Sequence, residues 1–79
     1  MSPTVFRVRQ FRFFFFSREE ARRHVHVLSP DGEAKFWIEP SVALAASHGL
    51  SPRELKTLQN IVERRQDEIR DHWDRHFGS

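Results

Sequence analysis

Apolar and polar residues alternate with period two through much of the N-terminal half, and apolar residues recur every three or four positions near the C-terminus. The first spacing puts alternate side chains on opposite faces of a strand; the second lines them along one face of a helix. From Thr4 to Arg9, Thr4, Phe6 and Val8 share one side and Val5, Arg7 and Arg9 the other, as in a half-buried strand with Phe6 and Val8 inward. Gln10 is expected at the centre of a turn. Phe11–Ser17 predicts a second strand, with Phe11, Phe13 and Phe15 on one face and Arg12, Phe14 and Phe16 on the other. Apolar residues on both faces predict a central strand. Phe13 and Phe15 read as core, whereas Phe14 and Phe16 suit a core or a partner surface equally.

Ser17–Arg23 is polar and predicts a loop, in which Ser17 and Glu20 have the spacing of a capping box. The stretch His24–Pro40 predicts a β-hairpin. Val25, Val27, Phe36, Trp37 and Ile38 favour strands, and Ser29-Pro30-Asp31-Gly32 is a turn signal. With Gly32 as a bulge residue at positive φ, Ser29 and Glu33 close the turn. Val25 then lies beside Trp37, His26 faces Phe36, and His24 faces Ile38. This register puts both histidines on the face opposite Lys35 and Trp37, and a slip of one residue reverses that assignment.

Ser41–His48 is rich in alanine and predicts a short helix, led in by Pro40 and capped by Gly49. Leu50-Ser51-Pro52-Arg53-Glu54-Leu55 is the clearest local signal. Ser51 is the N-cap, Pro52 takes the first helical position, Glu54 completes a capping box, and Leu50 and Leu55 form a hydrophobic staple. The helix is expected to run to Phe77. Its stripe is Leu55, Leu58, Val62, Ile69, Trp73 and Phe77, interrupted by Gln66. The expected fold is therefore α+β over residues 1–79 as a single domain. A four-stranded antiparallel sheet, made of two N-terminal strands and the hairpin, is followed by a short helix and a long C-terminal helix packed on the sheet.

Seventy-nine residues set the core near the lower limit for independent folding, and there is no cysteine to reinforce it. Eight Phe and two Trp compensate by burying large areas each. A homo-oligomer or a bound partner is a second source of stability. The Phe13–Phe16 run is far too short for a signal peptide or membrane span, so a cytoplasmic location is expected, with no membrane partner. Charge is uneven: residues 1–23 carry six Arg against two Glu, residues 24–50 one Lys against three acids, and residues 51–79 balance. A basic N-terminal section attracts nucleic acid or an acidic protein, although solvated outer strand faces give the same pattern.

Three segments carry a family resemblance. They are Pro3-Thr4-Val5 leading to Phe11–Ser17, His24-Val25-His26-Val27 followed by Gly32–Pro40, and the terminal helix from Leu50-Ser51 to Trp73 and Phe77. Together they resemble small bacterial and archaeal proteins grouped as domain-of-unknown-function family four-one-six-zero. Members of that family usually show Glu-Pro-Pro before the first of the paired histidines, often with a histidine further upstream. This chain has Glu20-Ala21-Arg22-Arg23 there, which removes one metal ligand and two rigid residues. The resemblance implies membership of a two-gene module like a toxin–antitoxin pair, and hence a cognate small protein encoded nearby as partner.

His24 and His26, two apart on a strand, project from one face. Such a pair can ligate a metal only with help from Glu39, His48, His72 or His76, and no His-Glu-x-x-His motif supports that, so no metal is expected. The pair can also supply acid and base for metal-independent RNA cleavage, with Arg22, Arg23 or Lys35 stabilising the transition state and Trp37 stacking a base. The structural alternative buries both rings under the long helix, and a further one places them at a partner interface. No phosphate loop, nucleophile elbow or dinucleotide fingerprint is present, so no cofactor is expected. The favoured expectation is a protein-interaction component of a toxin–antitoxin-like module. The alternative is a small ribonuclease toxin using His24 and His26 with Arg22 or Arg23. A weaker alternative is a nucleic-acid-binding module, for RNA or DNA, through Arg7, Arg9 and Arg12, with Lys35 and Trp37 as further binding residues.

Overall fold

The computed structural model describes residues 4–16 and 21–78. Five segments pair in it as one antiparallel sheet: β1 (Thr4–Val8), β2 (Phe11–Phe14), β3 (His24–Ser29), β4 (Gly32–Trp37) and β5 (Ala43–His48). Their order in the sheet is their order in the chain, so each strand pairs with its sequence neighbour. Two helices follow, α1 (Pro52–Arg64) and α2 (Gln66–Phe77). The fold is α+β, as expected, but the sheet has five strands rather than four. The loop over 17–20, with its expected capping box, lies outside the described residues.

The fifth strand replaces the expected short helix. Alanine favours helix, but a segment this short gains little from propensity alone. The outer edge of β4 instead offers a row of unpaired backbone groups, and Ala43–His48 satisfies them. A register shift between Lys35 and Phe36 marks a bulge in that pairing. Glu39-Pro40 precedes this strand with a cis peptide bond. Gly49 does adopt the left-handed conformation, at φ 81°, but it turns the chain from a strand rather than capping a helix.

The hairpin closes one residue tighter than expected. Ser29 pairs with Gly32 across a two-residue Pro30-Asp31 turn, so Val25 faces Phe36, His26 faces Lys35, and His24 faces Trp37. Ser29 stabilises the turn by accepting from the Asp31 backbone N–H at 3.3 Å. Gly32 is not the positive-φ bulge residue. Its lack of a side chain serves a close approach instead: a Cβ there would overlap the His48 carbonyl oxygen and lie 2.9 Å from Gly49 Cα. The tight turn and the β5–α1 turn thus pack backbone to backbone.

Leu58, Val62, Ile69 and Trp73 from the helices join Phe13, Phe15, Val25, Val27, Phe36 and Ile38 in one buried cluster, with Leu50, Leu55, Phe6 and Phe77 packed against it. The helical stripe is the expected one, but the helix is broken. Arg65, at φ −111°, ends α1 and precedes α2, next to the Gln66 that interrupts the stripe. Gln66 satisfies a freed carbonyl by donating from Nε2 to Glu63 O at 3.0 Å. The Arg65 guanidinium lies 3.6 Å from the Phe6 ring centroid and pairs with Glu68, tying the break to β1.

The predicted N-terminal cap of α1 is present in full. Ser51 Oγ accepts from the Glu54 N–H at 3.1 Å, and Glu54 Oε1 accepts from the Ser51 N–H at 2.9 Å. The backbone hydrogen bond from Ser51 holds the Glu54 carboxyl below its ordinary 4.5, with the Ser51 hydroxyl and Asp31 contributing further. A depressed folded-state value means that this contribution is fully present above pH 4.5 and is lost as pH falls through the lower folded-state value. The melting temperature of the native chain is expected to fall over that acid range more steeply than that of Glu54→Gln. Parallel curves would show that the cap carries no pH dependence.

Candidate functional site

The tighter register redraws the two faces of the sheet. Val25, Val27, Ala34 and Phe36 point toward the helices. By alternation His24, His26, Glu33, Lys35 and Trp37 share the open face, so the expected separation of the histidines from Lys35 and Trp37 is corrected. Strand β2 adds Arg12 and Phe14 to that face, opposite Leu28 and His26, and β1 adds Arg7 opposite Arg12. Strand β5 adds Ala46 opposite Lys35 and His48 opposite Glu33.

His24 sits at the border of this face and is completely buried. Its Nδ1 lies 2.6 Å from the Arg22 carbonyl oxygen, so the bond requires a proton on Nδ1. Its ring meets Trp37 and Trp73 edge-on, with centroids 5.6 and 5.1 Å away. A ring enclosed in this way packs and positions the end of β3; it has no open path to a bulky substrate. His26 is half-buried, 5.0 Å from the His24 centroid and 4.4 Å from Phe16. The aromatic run divides accordingly. Phe14 is buried between Arg12, His26 and Phe16, whereas Phe16 follows the end of β2 and is 47% exposed.

The arginines of the predicted site separate. The Arg22 guanidinium lies 4.0 Å from the Trp37 ring centroid and donates to the Glu39 carbonyl, and Lys35 Nζ lies 4.3 Å from the same ring. Trp37 therefore collects two cations at the edge of the open face. Arg23 turns to the helical side, where it pairs with Asp74 at 2.6 Å and Glu39 at 3.2 Å. The Asp74 bond, reinforced by the charges of Asp74 and Glu39, raises the Arg23 pKa above its ordinary value. Arg70 also reaches Glu39, at 3.6 Å, so Arg23 acts as a clasp between the sheet and α2. Arg9 takes the turn after β1 at φ 56°, apart from Arg7 and Arg12. Arg12 Nε donates to Thr4 Oγ1 at 2.7 Å across the strand pair.

A depression of about 190 Å³ opens on this face between β3 and β5. His26, Glu33, Lys35, Ala46 and His48 line it from this face, and Ala34 and Ser47, which alternate to the other face, complete its wall. The sequence does not group Ser47 and His48 with Lys35, because 41–48 reads there as a helix. Once that segment is a strand, the i, i+2 rule alone puts His48 and Ala46 on one face. Among the described residues no three His, Cys, Asp or Glu side chains are grouped to hold a metal ion. No described helix is long and apolar enough to cross a membrane.

Comparison with curated proteins and with solved structures finds no match. A family model does match, over residues 11–74, which spans β2 to most of α2 and includes the paired histidines, Lys35, Trp37 and His48. The chain therefore belongs to the family described as Domain of unknown function (DUF4160).

Proposed function

We propose that this chain is a protein-interaction component of a two-gene, toxin–antitoxin-like module, and that its partner adds a strand to the β5 edge. The observation that carries this reading is the chemistry of that edge. β5 ends the sheet, and its sequence Ala-Leu-Ala-Ala-Ser-His has no Lys, Asp, Glu or Pro. Leu44 in it is 41% exposed. Natural edges are normally guarded by charge or proline against strand addition. The opposite edge, β1, carries Arg7 and leads into Arg9. An unguarded edge supplies backbone hydrogen bonds for affinity and alternate side chains for specificity.

Leu44→Lys puts a charge on the second residue of that edge, at a side chain that is itself largely exposed. Mixed with the protein encoded beside it, the native chain is expected to co-elute as a complex on size exclusion. The Leu44→Lys chain should elute alone while melting within a few degrees of native. An undiminished complex with Leu44→Lys would move the interface elsewhere.

A second reading, action on RNA, is favoured by one specific observation. The register brings Arg7, Arg12, Lys35 and Trp37 onto the face of His26, where a single acid, Glu33, opposes three cations from the paired strands. A basic face with aromatic rings suits a phosphate backbone carrying unstacked bases.

A further inference from the structure

Resting on that second reading, we propose that a row of aromatic rings across the open face, with cations at both ends, binds single-stranded RNA. A base stacks on Phe16, and the flanking phosphates are held by Arg7 and Arg12 at one end and by Arg22 and Lys35 at the other.

Three neighbouring strands build the row. Phe14 belongs to β2 and Phe16 follows its end, His26 and His24 belong to β3, and Trp37 belongs to β4. Centroids step from Phe16 to His26 at 4.4 Å, from His26 to His24 at 5.0 Å, and from His24 to Trp37 at 5.6 Å. Phe14 joins at 5.3 Å from Phe16. Cations close both ends. The Arg12 guanidinium lies 4.7 Å from the Phe14 centroid, and its Nε is anchored on Thr4. At the other end Arg22 and Lys35 lie 4.0 and 4.3 Å from the Trp37 centroid. Phe14 and Trp37 are two strands apart and two residues out of line. With strands about 4.8 Å apart and a rise of about 3.4 Å per residue, their Cα atoms lie roughly 12 Å apart. That leaves room for bases between two phosphates.

Most rings of the row are committed to packing. Phe14 and His24 are buried, His26 Nε2 is covered, and Trp37 carries two cations. The histidines therefore supply ring surface and no proton transfer. Phe16, 47% exposed, is the ring with area to offer a base. Arg7, exposed, faces Arg12 directly across β1 and β2. Like charges set opposite each other repel, and a phosphate beside them offsets that repulsion. Glu33 pairs with Leu28 and His48, off the row, so the path meets cations at its ends and no acid along it. Cation, exposed ring, cation is the repeat of phosphate, base, phosphate. A run of carboxylates matches the charges and has nothing to lay on Phe16, and a duplex keeps its bases stacked inside.

The test is fluorescence anisotropy of a labelled oligouridylate in EDTA, titrated with native, Phe16→Ala, Arg7→Ala, Arg22→Ala and Arg53→Ala chains whose folding is checked by circular dichroism. The native chain is expected to bind, more weakly as salt rises. Phe16→Ala should weaken binding about tenfold, on the scale of one stacked base. Arg7→Ala and Arg22→Ala should each weaken it and make the slope of log affinity against log salt shallower by about 0.7, one phosphate contact on a single strand. Arg53→Ala, at the start of α1, should bind as native does. No binding by the native chain at low salt would overturn the RNA reading itself. Undiminished binding by folded Phe16→Ala and Arg22→Ala would overturn this site while leaving that reading in place. Equal binding to duplex RNA or to polyglutamate would also overturn the site, since the face would then read charge alone and suit an acidic protein.

Discussion

Phe36→Ala should remove a large share of the stability of this domain. Phe36 is completely buried in the centre of the sheet, between Val25 on β3 and Leu44 on β5, and its ring belongs to the cluster that the helices cover. Truncating a buried Phe costs about 3–5 kcal/mol through lost transfer energy and the cavity left behind. At about 0.05–0.15 kcal/mol per residue, a chain of this size holds only roughly 4–12 kcal/mol in total. Urea denaturation should place the Phe36→Ala midpoint below the native one by the equivalent of about 3–5 kcal/mol. Phe16→Ala is the matched comparison. The side chain is the same, but it is about half-exposed, so its loss should cost less than 1 kcal/mol. Equal costs at the two positions would mean that the aromatic run is not divided between core and surface in this way.

Gly49→Ala is expected to destabilise the fold strongly. Two separate costs act there. The residue holds φ 81°, where a Cβ costs roughly 1–2 kcal/mol. The added methyl would also overlap the Asp31 carbonyl oxygen, a backbone atom that cannot swing aside. Forcing such a fit costs about 1–3 kcal/mol more. Gly32→Ala isolates the steric term, because Gly32 has no positive φ to lose but would drive its Cβ into the backbone of both His48 and Gly49. Thermal melts should therefore place both Gly32→Ala and Gly49→Ala well below native. Since the two glycines hold the hairpin turn against the end of β5, either change should also disturb the depression that His48 lines. A Gly32→Ala chain as stable as native would contradict the backbone contact between the turns.

These two positions show where local reading stops. The capping box at Ser51 and Glu54, the apolar stripe from Leu55 to Phe77, the pairing of the N-terminal strands and the strand character of His24–Ser29 and Gly32–Trp37 all follow from short-range chemistry. A hydroxyl needs a backbone N–H three residues on, and a buried face needs a fixed period. Such signals survive in any tertiary setting, so they are legible from residues alone. The break at Arg65 was half-legible: Gln66 interrupts the stripe, but the pull of Phe6 on the Arg65 guanidinium belongs to β1, far away in sequence.

The sheet's fifth strand and the one-residue register were settled by tertiary contact. Ala43–His48 has helical propensity, yet β4 had an edge to satisfy, and backbone hydrogen bonds outweigh a few tenths of a kcal/mol per residue of preference. Gly32 has the look of a bulge residue when the hairpin is taken alone. In the folded chain its missing side chain admits Gly49 instead, and the turn tightens by one residue. Because strand side chains alternate with period two, that single step moved His24 and His26 onto the face of Lys35 and Trp37. Local chemistry along the chain was enough for the α+β class, the caps and the core stripe. Which chemistry-bearing side chains meet depends on register, and the register goes with a contact between the turn at Gly32 and the turn at Gly49, which no local signal encodes.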